Sequence, residues 1–501
     1  PLLPMSESRR PTLRNWRTQA LLVLGLALLL GLLFQGTRGV WGPEEGRFTN
    51  VAVQMLESGD WLLPRRHPEQ ELPSPPMAYW VLAVSMELFG RNEWALRVPS
   101  AVSFALTALL SLLIGRRLVP RRPWLPPLLF VSSFVPFAAA NLINPDFVLT
   151  FWLTLAVYAY VELWHKAQRP EAAYWRLLFW VGLGAAFLTK GWIALLPLLA
   201  ILLYRRLGAA PSPRLWTVGG VAAFLAVATP WYLLMMVRDP DLIRLYFGSE
   251  LLGRLFTGIH DKNPEWYGWL VVYGPVILVG TLPWGLLVWR RLPELLGDLV
   301  KFRFPLYRQL HREVLFLLCW LLLPLCILIL ARSRMPLYLL PLFVPWALLL
   351  ARLMERSRPA RYALYAFPVW LGLLLVLKGY VAGVDYHKDT RDMARQIQQK
   401  LDDPPSAIVF VQEPALYGLG FYMDTRVERV GFVEDAGRAI DRGLAESLAE
   451  PDATARLWVT TADRVERFAK QSREFGYAPR LVGKAGQYHF FKLDPLPKPA
   501  P

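Results

Sequence analysis

WGPEEGRFTNVAVQMLESGDW (residues 41–61) separates two long apolar stretches and sets the adjacent acids Glu44 and Glu45, with Arg47, beside a hydrocarbon boundary. Charge at such a boundary loses hydration, so a clustered acid pair and arginine there marks a functional-site candidate. A plainer account competes with it. Pro43 suits the first turn of a helix and acids complement the positive end of its dipole, so the same residues also read as a helix start.

Around this loop the chain is membrane protein in composition. Its 501 residues are 54% hydrophobic and include 21 tryptophans, and its mean hydropathy is +0.31. Apolar segments of spanning or near-spanning length fall near 19–36, 98–114, 123–141, 147–164, 176–189, 191–204, 216–236, 266–289, 313–331, 335–353 and 362–382. Crowding between 176 and 236 stretches the expected total from about eleven to about thirteen helices. The first segment reads as a retained helical anchor. The formal charge of +16 sits in short basic clusters between these runs, as topology signals and contacts for anionic lipid, which argues against a nucleic-acid partner.

Clusters such as Arg116, Arg117, Arg121 and Arg122, or Arg352, Arg356, Arg358 and Arg361, recur in alternate connections. By the positive-inside rule they face the cytoplasm. The acid loop, the turns at Asn144–Asp146 and Lys190, the loop 237–265, the turn Arg332–Met335 and everything beyond about 383 are then expected outside. In the acid loop, FTNVAVQMLES and PPMAYWVLAVSMELFG carry apolar residues at helical spacing, predicting two amphipathic helices on the membrane over a cavity.

Beyond residue 383 charge rises and apolar runs shorten. SAIVFVQ (406–412), RLWVTT (456–461) and QYHFFKL (487–493) read as strands. EDAGRAIDRGLAESLAE and ADRVERFAKQSREFG read as amphipathic helices between them. The expected fold is thus an α-helical polytopic membrane domain over 1–382 followed by a soluble α/β domain over 383–501. Cys319 and Cys326 lie in one apolar segment and read as buried apolar residues. GLGAAFLTKG (182–191) lacks the strand–loop–helix setting of a phosphate loop.

The order PEEGRF, MLESGDW, SPPMAYW, LFGRNEWALRVPSA, NPDFVLTFW, AFLTKGW, TPWYL, SELLGRLFTGIHDKNPEWYG, GTLPW and SRMPLYLLPLF resembles the bacterial GT-C glycosyltransferases. That group includes the lipid A aminoarabinose transferases and, more distantly, the protein O-mannosyltransferases. The resemblance covers about the first 350 residues. It implies inverting transfer of a sugar from a polyprenyl phosphate carrier to a lipid or protein acceptor at the outer face of the inner membrane, with membrane lipids as surroundings. No cofactor and no required metal are expected for this chain.

In that family an Asp–Glu pair opens the first loop and supplies the catalytic carboxylate, so the resemblance makes Glu44 and Glu45 catalytic, with Glu44 replacing the usual aspartate. A carboxylate there acts as general base toward an acceptor hydroxyl or orients the acceptor. Cations must hold the leaving lipid phosphate. Arg47, Lys190, Arg254 and Arg334 are the outer-face candidates; the resemblance supports Lys190 and Arg254 and sets Tyr338 near the same phosphate. Tyr79, Asp146, Glu250 and His260 are candidate substrate contacts.

Ordinary roles stand beside these. Lys190 suits snorkelling at a helix end, Arg254 an i,i+4 pair with Glu250, Arg334 a boundary charge, Tyr338 an aromatic belt and Asp146 a helix cap. The chain departs from the family at Pro73 and Ser74, where the aminoarabinose transferases carry a lysine and an acid before the proline doublet. Nearby His67, Glu69 and Glu71 have no metal-site spacing. A secondary transporter or flippase is the alternative class, but it predicts repeated halves, and the sequence shows no internal repeat.

Overall fold

The computed structural model describes residues 13–67, 70–71, 74–208, 213–238, 240–241, 263–355, 360–384, 386, 388–401, 403–432 and 442–497. The chain divides into two compact units. One comprises Pro1–Gln35, Pro73–Ala78 and Arg97–Gly379; the other comprises Gly36–Leu72, Tyr79–Leu96 and Tyr380–Pro501.

The first unit is helical. Among the described residues seven helical segments are long and apolar enough to cross a membrane: Glu93–Leu118, Asp146–His165, Ala172–Arg206, Val218–Arg238, Arg312–Leu330, Pro336–Met354 and Tyr365–Ala382. Trp16–Leu32, Met77–Phe89 and Gly268–Leu278 are shorter apolar helices. The protein is therefore a polytopic membrane protein, and each of the eleven apolar segments expected from sequence corresponds to helix in this inventory or to one of the two broken helices that follow. Its core joins Phe104, Phe130, Phe147, Tyr160, Phe179 and Phe316, all fully buried. Glycines just before the segment AFLTKGW serve close helix packing. A Cβ on Gly182 would meet Ala156 at 3.3 Å, and one on Gly184 would meet Val227 at 3.0 Å, the small-residue contact by which helices approach in lipid.

Two expected spans are broken, and each break supplies the other's missing backbone partners. Residues 123–141 form Leu125–Ser132 and Phe134–Ala139 instead of one helix, with Ser133 extended between them (φ −69°, ψ 136°). Residues 266–289 form Gly268–Leu278, then a turn, then Gly285–Lys301. Phe134 N–H donates to the Leu282 carbonyl at 3.3 Å and Val135 N–H to the Gly280 carbonyl at 3.2 Å. Trp284 Nε1 donates to Ser132 Oγ at 2.8 Å, and Trp370 Nε1 donates to the Ser132 carbonyl at 2.6 Å. Helix interruptions survive within a membrane domain where buried polar groups are satisfied in this way.

The second unit contains a six-stranded sheet. With the short hairpin β1 (Arg65–His67) and β2 (Gln70–Glu71) numbered first, its strands are β3 (Ala407–Val411), β4 (Arg426–Gly431), β5 (Arg442–Gly443), β6 (Leu457–Thr461), β7 (Tyr477–Ala485) and β8 (Tyr488–Pro495). They lie in the order β5-β4-β3-β6-β8-β7. β3 is parallel to β4 and β6, whereas β8 is antiparallel to β6 and β7. β3 is buried along its whole length, hence its unbroken apolar run AIVFV. The three expected strands are present. Of the amphipathic helix expected over EDAGRAIDRGLAESLAE, residues 434–441 lie outside the described residues; among the described ones Arg442–Gly443 pairs with β4 and Leu444–Leu448 is helical.

Candidate functional site

The acid loop turns into a helix at Gly42–Ser58. Trp41 before it is extended (φ −101°, ψ 128°), Pro43 occupies its first turn with Glu44 and Glu45, and Gly59 ends it in the left-handed conformation (φ 68°). The helix-start reading of Pro-Glu-Glu is correct as local structure. It does not describe both acids equally.

Glu45 is buried and committed. Arg38 Nη1 and Nη2 donate to its two carboxylate oxygens, each at 3.0 Å. Trp41 N–H adds a third donor at 2.9 Å, and the Arg38 guanidinium lies 4.3 Å from the centre of the Trp41 ring. Glu44 faces the other way. Its side chain is 55% exposed and pairs with Arg47 at 3.0 Å, a contact weak enough at that exposure to yield to an incoming group. Beneath the helix, Tyr79 packs with Phe48, Val51 and Met55, its ring 5.7 Å from that of Phe48.

The approach to the acid helix is fastened by residues more than 300 positions away. Gly39 N–H and Trp41 Nε1 donate to Asp389 at 2.9 and 3.0 Å. Gly42 N–H donates to the Lys388 carbonyl and Thr390 N–H to that of Val40, both at 3.0 Å. The Tyr422 hydroxyl accepts from Val40 N–H at 3.0 Å and donates to Glu93 at 3.1 Å. Burial, followed by the neighbouring Glu93 charge, holds that phenol well above its ordinary range. Farther along, Gly46 packs so closely on Gly418 that a Cβ would lie 2.4 Å from the Gly418 nitrogen.

The first unit holds a separate polar constellation. The helix Ala172–Lys190 stops because Gly191 adopts φ 64°, ψ −135°, a backbone state open mainly to glycine. Lys190 is thereby left as the last helical residue. Its ammonium pairs with the Asp146 carboxylate and lies 4.4 Å from the centre of the Tyr338 ring. Asp146 does not cap its own helix. Asn144 Oδ1 accepts the Asp146 N–H at 2.9 Å, freeing the carboxylate for Lys190. Asp146 and Tyr338 are 6% and 8% exposed, so neither the cap nor an aromatic belt accounts for them.

Arg334 is 5% exposed and is no boundary charge. Its Nη1 donates to the Asn263 and Glu265 carbonyls at 2.7 and 3.0 Å, and Nε and Nη2 donate to Ile329 at 3.3 and 3.1 Å. It clamps the segment at Asn263 and Glu265 to the end of the helix Arg312–Leu330 with four of its five N–H groups. Arg254, Glu250 and His260 lie outside the described residues. Arg38, Asp389 and Tyr422 escaped sequence reading because their partners are remote in the chain or fall in a turn without periodicity.

Residues 73–234 match the family model described as dolichyl-phosphate-mannose-protein mannosyltransferase. An undecaprenyl phosphate-alpha-4-amino-4-deoxy-L-arabinose arabinosyl transferase of Pseudomonas fluorescens is 34% identical over 386 residues, 74% of this chain and 65% of that one. One from Pseudomonas aeruginosa is 35% identical over 351 residues, 68% of this chain and 59% of that one. The structure aligns with ArnT from Cupriavidus metallidurans bound to undecaprenyl phosphate at a TM-score of 0.73 and 21% identity, covering 96% of this chain and 98% of that one.

The chain shares the fold of that solved structure. It spans about three fifths of the length of the curated relatives it matches, 57% to 65% in the first four.

Proposed function

We propose that this protein is an inverting glycosyltransferase that moves a sugar from a polyprenyl phosphate to an envelope acceptor at the outer face of the bacterial inner membrane. The acceptor is a lipid A-like glycolipid or a protein hydroxyl, and the donor reading is supported by curated relatives named undecaprenyl phosphate-alpha-4-amino-4-deoxy-L-arabinose arabinosyl transferases. The observation that carries the reading is Lys190, whose ammonium pairs with the buried Asp146 carboxylate and lies against the Tyr338 ring.

The chemistry follows from the two constellations. The acceptor oxygen bonds to the anomeric carbon as the bond from that carbon to the carrier phosphate breaks, and the phosphate leaves with the bonding pair. Glu44, the accessible acid, takes the acceptor proton or orients an acceptor already ionised. Lys190 supplies positive charge to the departing phosphate, Asp146 fixes the ammonium until it does so, and Tyr338 provides the aromatic face on which it rests. Glu45 is a positioning residue, holding the helix start through Arg38. Arg47 holds Glu44 through an exposed pair. Arg334 keeps the Tyr338 turn in place.

Mass spectrometry of envelope glycolipids tests this in cells lacking the protein, complemented by native, Glu44→Gln or Lys190→Met chains at equal levels. A sugar lost with the deletion, restored by the native chain alone, and matched by accumulating polyprenyl phosphate sugar is the expected result. Unchanged glycolipids and donor pools would overturn it.

A further inference from the structure

Tyr273 lies on Gly268–Leu278, a helix of sequence GWLVVYGPVIL whose other side chains are apolar apart from one indole N–H. It is fully buried. Its hydroxyl has no hydrogen-bond partner among the described residues, although buried hydroxyls are nearly always paired and a phenylalanine would fill the same volume without the desolvation cost. Its surroundings are the cation turn: the helix packs on the 3-10 segment Pro336–Leu342 that carries Tyr338, and Tyr338 and Arg334 are the electrostatic neighbours of the phenol. Tyr338 is in turn the ring beneath the Lys190 ammonium.

We infer that Tyr273 is a donor-phosphate ligand: its hydroxyl donates to a phosphate oxygen of the polyprenyl carrier held by Lys190. This rests on the proposed function and adds a neutral donor to its site. A neutral phenol suits the position, because Asp146 already balances Lys190 and a further fixed cation would retain the product phosphate after transfer. The hydrogen bond forms to the carrier both before and after sugar transfer, so its loss weakens binding rather than turnover.

The test is binding of undecaprenyl phosphate to the purified full chain in nanodiscs, native against Tyr273→Phe, with undecaprenol as the phosphate-free control and thermal unfolding of the unliganded proteins alongside. The variant is expected to unfold no lower than the native chain and to bind undecaprenol equally. Its Kd for undecaprenyl phosphate, and its KM for the sugar-loaded carrier, should rise about tenfold with kcat nearly unchanged, the size of a hydrogen bond to a charged acceptor. Replacement by p-aminophenylalanine, which keeps a donor at the same place, should restore binding and covers the case of a poorly folding phenylalanine variant. Equal undecaprenyl phosphate affinity in native and Tyr273→Phe chains would overturn the assignment while leaving the transferase reading intact. Equal weakening toward undecaprenol would overturn it as a packing effect. A native chain that neither binds undecaprenyl phosphate nor transfers sugar would remove both.

Discussion

Glu44 and Glu45 are chemically identical neighbours, yet isosteric substitution should affect them oppositely. Glu45→Gln removes the charge opposite Arg38 in a pair whose side chains are only 9% and 7% exposed. An amide oxygen still accepts from Trp41 N–H and from one Arg38 nitrogen, but the second contact becomes donor against donor and the guanidinium stays buried without a counter-charge. Breaking a buried pair from one side costs roughly 3–5 kcal/mol, and the retained acceptor sets the expectation at about 3 kcal/mol. For a unit of this size that is a fall of roughly 6–12 °C in Tm. Glu44→Gln loses an exposed pair with Arg47, worth at most about 1 kcal/mol, and should abolish transfer without moving Tm measurably. Thermal unfolding of the detergent-solubilised chain followed by tryptophan fluorescence measures the first effect, and transfer to a lipid acceptor measures the second. Arg38→Met combined with Glu45→Leu should recover most of the stability, because an apolar pair is often neutral in such a place. A Glu45→Gln protein that melts with the native chain but is as inactive as Glu44→Gln would refute the division of roles.

Lys190→Met should raise KM for the polyprenyl phosphate sugar and lower kcat by about 100-fold, the scale of one lost charge stabiliser, read in a steady-state assay; an unchanged rate would remove the lysine from the chemistry. Gly191→Ala forces a β-carbon into a backbone state costing about 1–3 kcal/mol, and should lower both Tm and activity by displacing Lys190. Gly46→Ala meets the backbone of Gly418 and should destabilise the second unit by about 1–3 kcal/mol, seen as a lower unfolding midpoint. The Tyr422 phenol ionises near pH 10 when unfolded and above that when folded. The folded state therefore holds its proton longer, and this contribution, complete below pH 10, is lost as pH rises toward the folded value. Tyr422→Phe should flatten the fall of Tm above pH 10 while lowering Tm at neutral pH, where Val40 N–H and Glu93 lose their partner; parallel curves would discount the phenol.

The membrane class was readable because apolar length alone decides it, and the helix at Gly42–Ser58 because Pro43, the acids and Gly59 are local signals. The breaks at Ser133 and Gly280 were not readable, since each is stabilised by backbone groups of the other. The same limit governs the candidate site. Glu44 and Glu45 look equivalent in the sequence, and the buried donors Arg38 and Trp41 N–H separate them. Asp146 reads as a cap in the sequence, whereas Asn144 accepts the backbone N–H at that helix start. In the second unit, β4 reads RVERVG and its charges conceal a strand: Glu428 is fully buried beside Arg426 and Arg442.

The close approach of Gly46 to Gly418, and the fastening of Val40 to Thr390, also set a schedule for biosynthesis. The acid helix is translated some 370 residues before the surface that completes it, a wait of roughly 20–75 s at about 5–20 residues per second. During that interval successive helices enter the bilayer while the loop stays outside any finished core. A chain cut just after the helix Tyr365–Ala382 would therefore keep every described apolar helix and lack the residues that fasten its acid loop.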